Sequence, residues 1–149
     1  MKFLGLDVGD RRVGVAFGDS ELRLATPVDV ITRATIDADA RAIGKFAREY
    51  DAAQLIVGLP RNMDGTSGAQ AGSVTSYAER IAQAGNLPLV FWDERLTTVE
   101  ATRRTHEAGA SARSMRSLRR GKNSRRGLDA IAAAVILQDY LDGQGKTGE

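Results

Sequence analysis

The run Gln54–Leu59 (QLIVGL) constrains the fold more than any other stretch of the chain. It is short and continuously apolar, the pattern of a strand covered on both faces rather than one that alternates between core and solvent. Strands of that kind sit in sheets with parallel neighbours, reached through helical crossovers. The flanking segments supply them. Ile36, Ala40, Ile43, Phe46, Ala47 and Tyr50 fall at helical spacing ahead of the run, and Val74, Tyr77, Ala78 and Ile81 repeat at i, i+3, i+4 and i+7 after it. Leu87–Trp92 reads as the next strand. At the start of the chain, Phe3–Val8 and Val13–Phe17 flank the turn Gly9–Arg12, which forces an antiparallel hairpin, and Pro27–Ile31 reads as a third strand.

Further on, Thr97 and Glu100 form a T-x-x-E capping box that opens a helix running to about Ala108. Leu128–Leu141 is a strongly apolar final helix. The predicted order is β-β-β-α-β-α-β-α-α. This is an α/β domain built on a mixed five-stranded sheet, three antiparallel strands then two parallel ones, flanked by helices. No repeat or linker divides it, so residues 1–142 read as one domain, with 143–149 as a flexible tail.

What the chain lacks narrows its chemistry. It has no cysteine, which excludes a disulfide framework, a thiolate zinc site, an iron–sulfur cluster and a cysteine nucleophile. His106 is the one histidine, far from any G-x-S-x-G context, so a Ser-His-Asp triad has no credible base. The N-terminus MKFLGLDVGD meets an acid after a very short apolar run and is no signal peptide. No apolar stretch approaches the roughly 20 residues of a spanning helix. The expectation is a soluble cytoplasmic protein with no membrane partner.

The formal net charge of +2 conceals a partition. Between Ala101 and Gly127 stand Arg103, Arg104, Arg113, Arg116, Arg119, Arg120, Lys122, Arg125 and Arg126, against the single acid Glu107. That window carries +8, leaving −6 on the remainder of the chain. An Arg-rich segment on an acidic body points to an anionic polymer as partner, although a solvated loop would show the same charge run.

Carboxylates are the remaining catalytic candidates. Asp7 interrupts an otherwise apolar strand, where an unpaired ionised acid is costly to bury. Asp93 and Glu94 follow the end of another strand, and Asp129 opens the last helix. Each has an ordinary explanation: a turn acid, a partner for Arg95, a helix N-terminal charge. Gathered at one edge of the sheet, however, such acids would repel one another unless a cation joined them. Hard oxygen ligands select Mg²⁺ or Mn²⁺, and a pair of such ions suits phosphodiester hydrolysis. Two loops lie at strand ends near this edge. Gly9-Asp10-Arg11-Arg12 offers backbone amides and arginines to phosphate, and Pro60–Gly68 contributes Asn62, Asp64 and Thr66, unless it is a surface turn built on Asp64-Gly65.

Taken in order, these residues resemble a known family. Gly5-Leu6-Asp7-Val8-Gly9 with Arg12-Val13-Gly14-Val15-Ala16 is similar to the opening of the YqgF (RuvX) family. Those are bacterial Holliday-junction-resolvase-like proteins, also described as pre-16S rRNA nucleases. The likeness recurs at Ile56–Pro60 with Asn62–Thr66, at Asp93–Thr98 with Glu100-Ala101, and at Leu128–Ala133 with Ile136–Gln138 and Tyr140-Leu141. It implies a ribonuclease-H-like fold and a carboxylate triad of Asp7, Glu94 and Asp129 on divalent metal. It favours Glu94 over Asp93. Two positions depart from the family: Asp10 stands where many members have Thr, and Gly127-Leu128 where Lys-Val is commoner.

The expected activity is metal-dependent endonuclease cleavage of structured nucleic acid, with processing of the 5′ end of pre-16S rRNA in first place. The resemblance implies it, with Arg11, Arg12, Arg113, Arg116, Arg119, Arg120, Lys122, Arg125 and Arg126 gripping phosphates. Cleavage of four-way DNA junctions is the alternative, and it requires a homodimer with two matched sites. A non-catalytic RNA-binding assembly factor is a further one. The turn Asp7-Val8-Gly9 also resembles the phosphate hairpin of actin-like ATPases, but those need two such domains.

Overall fold

In the computed structural model, described for residues 1–59, 69–93 and 124–147, five strands form one sheet in the order β3-β2-β1-β4-β5. The strands are β1 (Lys2–Val8), β2 (Arg12–Asp19), β3 (Leu24–Thr32), β4 (Gln54–Leu59) and β5 (Leu89–Asp93). Pairing is antiparallel across β1–β2 and β2–β3, and parallel across β1–β4 and β4–β5. The helices are α1 (Ile36–Glu49), α2 (Ala69–Gly85) and α3 (Ser124–Thr147).

The pleat divides the strands between two cores. Leu4, Leu6 and Val8 of β1, Val13 and Val15 of β2, and Leu55, Val57 and Leu59 of β4 face α1 and α2. Ala40, Ile43 and Ala47 of α1 and Val74, Tyr77, Ala78 and Ile81 of α2 close that core. Phe3, Ala16 and Ile56 face the other way, against Ala133, Ala134, Leu137, Tyr140 and Leu141 of α3. The QLIVGL strand is therefore covered on both sides, which is why it shows no alternation.

Local signals set the ends of α1. The Thr35 side chain accepts from the Ala38 amide at 3.1 Å, and Asp37 and Asp39 stand in the first turn, where the helix dipole favours acids. On the edge strand β3, Val28 is an extra residue: Val15 pairs with Asp29 but Ala16 with Pro27. A proline costs little there, because an edge strand has amides with no ladder partner.

Several boundaries differ from the sequence reading, and three of them matter here. β2 begins at Arg12, which leaves the turn for the strand. α3 starts at Ser124, so Asp129 lies in its second turn rather than at its opening. The helix also continues to Thr147, where a tail from 143 on was expected. Gly143 does not end it: a Cβ there would meet Trp92 Cη2 at 2.7 Å, so the glycine serves close packing. The capping box at Thr97 and Glu100, with its expected helix and His106, lies outside the described residues. Among the described residues no helix is long and apolar enough to cross a membrane.

Candidate active site

The site begins with small residues. Gly5, Gly14, Ala16 and Gly18 share one face of β1 and β2, and this smooth strip lets the α3 backbone approach the sheet directly. A Cβ at Gly5 would meet Leu137 Cβ at 2.8 Å and the Ala133 carbonyl at 3.1 Å. A Cβ at Gly14 would overlap the backbone carbonyl of Asp129. Asp129 is thus set by contact between backbone and backbone, with no side chain between α3 and β2 at Gly14.

Register carries that placement to Asp7. Gly14 is the antiparallel partner of Asp7, so Asp129 lies over the residue directly opposite it. Asp7 shares the α3 side of β1 with Phe3 and Gly5, and is 8% exposed. Two carboxylates from elements more than a hundred residues apart in sequence therefore come to one edge. Side-chain oxygens of this type, on a rigid strand and a packed helix, fit a hard divalent cation. Among the described residues, no three His, Cys, Asp or Glu come together. Glu94, the third predicted acid, lies outside the described residues.

The pleat also separates Asp93 from this pair. Leu89 and Phe91 of β5 pack on the α1–α2 core, while Val90 and Trp92 pack on the α3 side. Asp93 has the phase of Leu89 and Phe91, on the face away from Asp7. Between β1 and β5 runs β4, where Leu6 pairs with Val57 and Gly58 with Trp92. Gly58 is therefore level with Asp7, and the sheet surface between Asp7 and the end of β5 carries no side chain at that point. Trp92 and Tyr140 meet edge to face at 5.6 Å. The Trp92 indole Nε1 is buried and has no hydrogen-bond partner among the described residues.

Two contacts at this edge are not visible in the sequence. Arg12 Nε donates to Asp129 Oδ2 at 2.8 Å, an ion pair about one-third exposed on each side. Arg33 holds the turn after Asp7, with its Nη1 on the Gly9 carbonyl at 2.9 Å and its amide on the Arg11 carbonyl at 2.8 Å. The Arg33 guanidinium lies 4.1 Å over the Tyr77 ring, and Tyr77 Oη donates to the buried Asp39 at 2.8 Å. Burial, and then the bond to Asp39, push the Tyr77 pKa well above the ordinary tyrosine value. The small-residue strip was the available signal for the first contact. Nothing in the sequence pattern singled out Arg33.

Of the other predicted residues, Arg11 is exposed in the turn. Arg125 and Arg126 fall in the first turn of α3, their side chains outside the described set. Asn62, Asp64, Thr66, Arg113, Arg116, Arg119, Arg120 and Lys122 also lie outside the described residues. A groove of about 540 Å³ beside α1 and the end of α2, lined by Asp37, Arg41, Arg48 and Leu87 among others, is on the opposite face of the sheet from Asp7. It is no part of this site.

Comparison with known proteins shows the family and the architecture. Residues 1–143 fit the family model described as RuvX, Holliday junction resolvase. A protein of Anaeromyxobacter sp. (strain Fw109-5), named "Putative pre-16S rRNA nuclease", is 44% identical over 144 residues, covering 97% of this chain and 98% of its own. One of the same name from Moorella thermoacetica is 40% identical over 148 residues, 99% of each. Among solved structures, Thermus thermophilus RuvC in complex with a Holliday junction substrate superposes with a TM-score of 0.59 at 14% identity, over 99% of this chain and 97% of that one. The fowlpox virus Holliday junction resolvase gives 0.51 at 11% identity, over 99% of each. At such identities the structural likeness speaks to architecture: the sheet is of the ribonuclease-H-like type.

Proposed function

This chain belongs to the RuvX family, and from that premise we propose that it is an endonuclease that hydrolyses phosphodiester bonds at divalent metal ions held by Asp7, Glu94 and Asp129. The observation that carries the reading is the Gly14 contact, which brings Asp129 over the strand position opposite Asp7. Glu94 is the residue after β5 in the sequence, and it enters the proposed triad from the family resemblance. When bound, two Mg²⁺ or Mn²⁺ ions supply an activated water and stabilise the leaving oxygen. The chain's own part is to hold hard oxygen donors rigidly, Asp7 by its strand and Asp129 by the backbone seat on Gly14. The Arg-rich window, with Arg11 and Arg12, supplies cations for the phosphate backbone, so affinity should fall steeply with salt.

The names of relatives at about 40% identity over nearly the full chain favour pre-16S rRNA as the substrate, and cutting at its 5′ end in the cytoplasm is part of the proposal. The family's description favours a second reading, cleavage of four-way DNA junctions by a homodimer. Asn62, Asp64 and Thr66 are proposed to line the site from their loop. The test incubates an RNA carrying the 16S 5′ precursor and a four-way DNA junction with the protein in Mg²⁺ or Mn²⁺. Wild type is expected to cut the RNA at one position, and Asp7→Asn to lose at least a thousandfold in rate. Residual activity equal in wild type, Asp7→Asn and Glu94→Gln would assign the cleavage to a contaminant. Faster cutting of the junction by a protein of dimer mass would replace the first reading with the second.

A further inference from the structure

Arg12 differs from Arg11, the other member of the proposed phosphate-binding set whose side chain is described, in being attached to a proposed metal ligand. It opens β2 and shares the α3 face of that strand with Gly14, one pleat away. Its ion pair with Asp129 runs from Nε to Oδ2 at 2.8 Å, and among the described residues this is the one hydrogen bond of its side chain. A guanidinium has five N–H donors in one plane. With Nε committed to Asp129, the four Nη donors remain, and the side chain is 35% exposed, so they can reach a ligand from solvent. The paired Nη edge matches the spacing of two phosphate oxygens, which an ammonium cannot reproduce.

We propose that Arg12 bridges the two halves of the site: Nε is anchored on Asp129 while the Nη edge clamps the phosphate presented for cleavage. The inference rests on the metal-nuclease reading and adds a specific role to one residue of it. Anchoring fixes the guanidinium at one distance from the carboxylates, so a phosphate held by it is in register with the acid edge. Arg11, exposed in the preceding turn, carries the same charge without such an anchor and provides the internal comparison.

The experiment measures binding of the precursor RNA and of the four-way junction in Ca²⁺, and Mn²⁺ affinity by electron paramagnetic resonance. Arg11→Ala is expected to weaken nucleic-acid binding two- to threefold, as loss of a solvated phosphate contact. Arg12→Ala is expected to weaken it at least tenfold while Mn²⁺ affinity falls by no more than threefold. Arg12→Lys should recover the salt dependence but less than half of the lost binding free energy, because one ammonium cannot span both partners. Equal losses for Arg11→Ala and Arg12→Ala, or full rescue by Arg12→Lys, would reduce Arg12 to a charge and overturn the bridge. A tenfold loss of Mn²⁺ affinity in Arg12→Ala would overturn it too, showing that the arginine acts through the metal ligand alone. Wild type that bound neither nucleic acid nor Mn²⁺ would bring down the nuclease reading, and this inference with it.

Discussion

The two faces of the sheet are packed by different means. On the α1–α2 side, branched and long aliphatic side chains such as Leu4, Leu6, Val13, Val15, Leu55 and Ile43 interdigitate, and side chains fill the space between sheet and helices. On the α3 side, Gly5, Gly14 and Gly18 remove side chains from the sheet and the helix backbone comes down onto it. The first arrangement tolerates small adjustments, since an aliphatic core can repack around a changed methyl group. At Gly14 the second has no slack, because the Asp129 backbone cannot rotate away. A carboxylate carried by α3 is therefore located more tightly than any side chain on α1 or α2. Asp7 and Asp129, the proposed metal ligands, stand on the face that includes this backbone contact.

Gly14→Ala should break that arrangement most severely. Its Cβ would fall on the Asp129 carbonyl, so the start of α3 must lift or β2 must bend. We expect nuclease activity to fall at least a hundredfold, with overpacking costing about 1–3 kcal/mol or more. Steady-state cleavage and urea denaturation on one preparation separate the two effects. A Gly14→Ala protein as active as wild type would show that the backbone seat does not position Asp129.

Leu6→Ala is the matching change on the other face. Leu6 is fully buried between the sheet and the two helices, and losing its side chain should cost about 2–5 kcal/mol. The folded fraction should nonetheless keep a kcat within about threefold of wild type, measured well below the lowered melting temperature. The contrast is the point: the larger stability loss goes with the smaller catalytic loss. A collapse of kcat in Leu6→Ala would erase the distinction between the faces.

Gly18→Ala lies between them. Its Cβ would meet Leu137 Cδ2 at 2.7 Å and Cγ at 3.0 Å, the end of a side chain that can change rotamer. The expected cost is about 1–2 kcal/mol with little change in cleavage. Together, Gly14 and Gly18 ask whether backbone or side chain receives the added carbon, on one strand and under one helix. If both substitutions cost the same activity, distance from the acids rather than the type of contact decides the outcome.

What the sequence made legible follows the same division. The strands, the change from antiparallel to parallel pairing and the two crossovers could be read because each leaves a periodic or compositional mark on its own segment. Gln54–Leu59 is covered on both faces and looks it. The alternation of β5, by contrast, had to be phased against the real core before Asp93 could be placed away from Asp7. The Arg12–Asp129 pair spans 117 positions, and the Gly9–Arg33–Tyr77–Asp39 chain joins a turn, a strand end and two helices. Neither has a local spacing to betray it. Contacts of this kind depend on how elements meet, and only the assembled sheet fixes that.

The smallest expected effect belongs to a link between the α2 side and the turn after Asp7. Tyr77 is buried on the α2 side, yet through Arg33 it supports the turn that follows Asp7. Tyr77→Phe keeps the ring under Arg33 and removes only the hydroxyl on Asp39, which is 3% exposed. Stranding that acceptor should cost about 1–2 kcal/mol near neutral pH, with cleavage changed less than twofold. The pH dependence gives a sharper signature. Burial and the Asp39 bond raise the Tyr77 pKa in the folded chain, whereas the unfolded chain loses this proton near pH 10. Above that pH the unfolded state binds fewer protons, so the contribution is complete below about pH 10 and drains away as pH rises, by at most about 1.4 kcal/mol per pH unit. Urea midpoints for wild type and Tyr77→Phe should therefore converge between pH 9 and pH 11. Parallel curves over that range would show that the Tyr77 hydroxyl is not held protonated by Asp39, and that the tie between the helical face and the catalytic turn runs through the ring stacked under Arg33 alone.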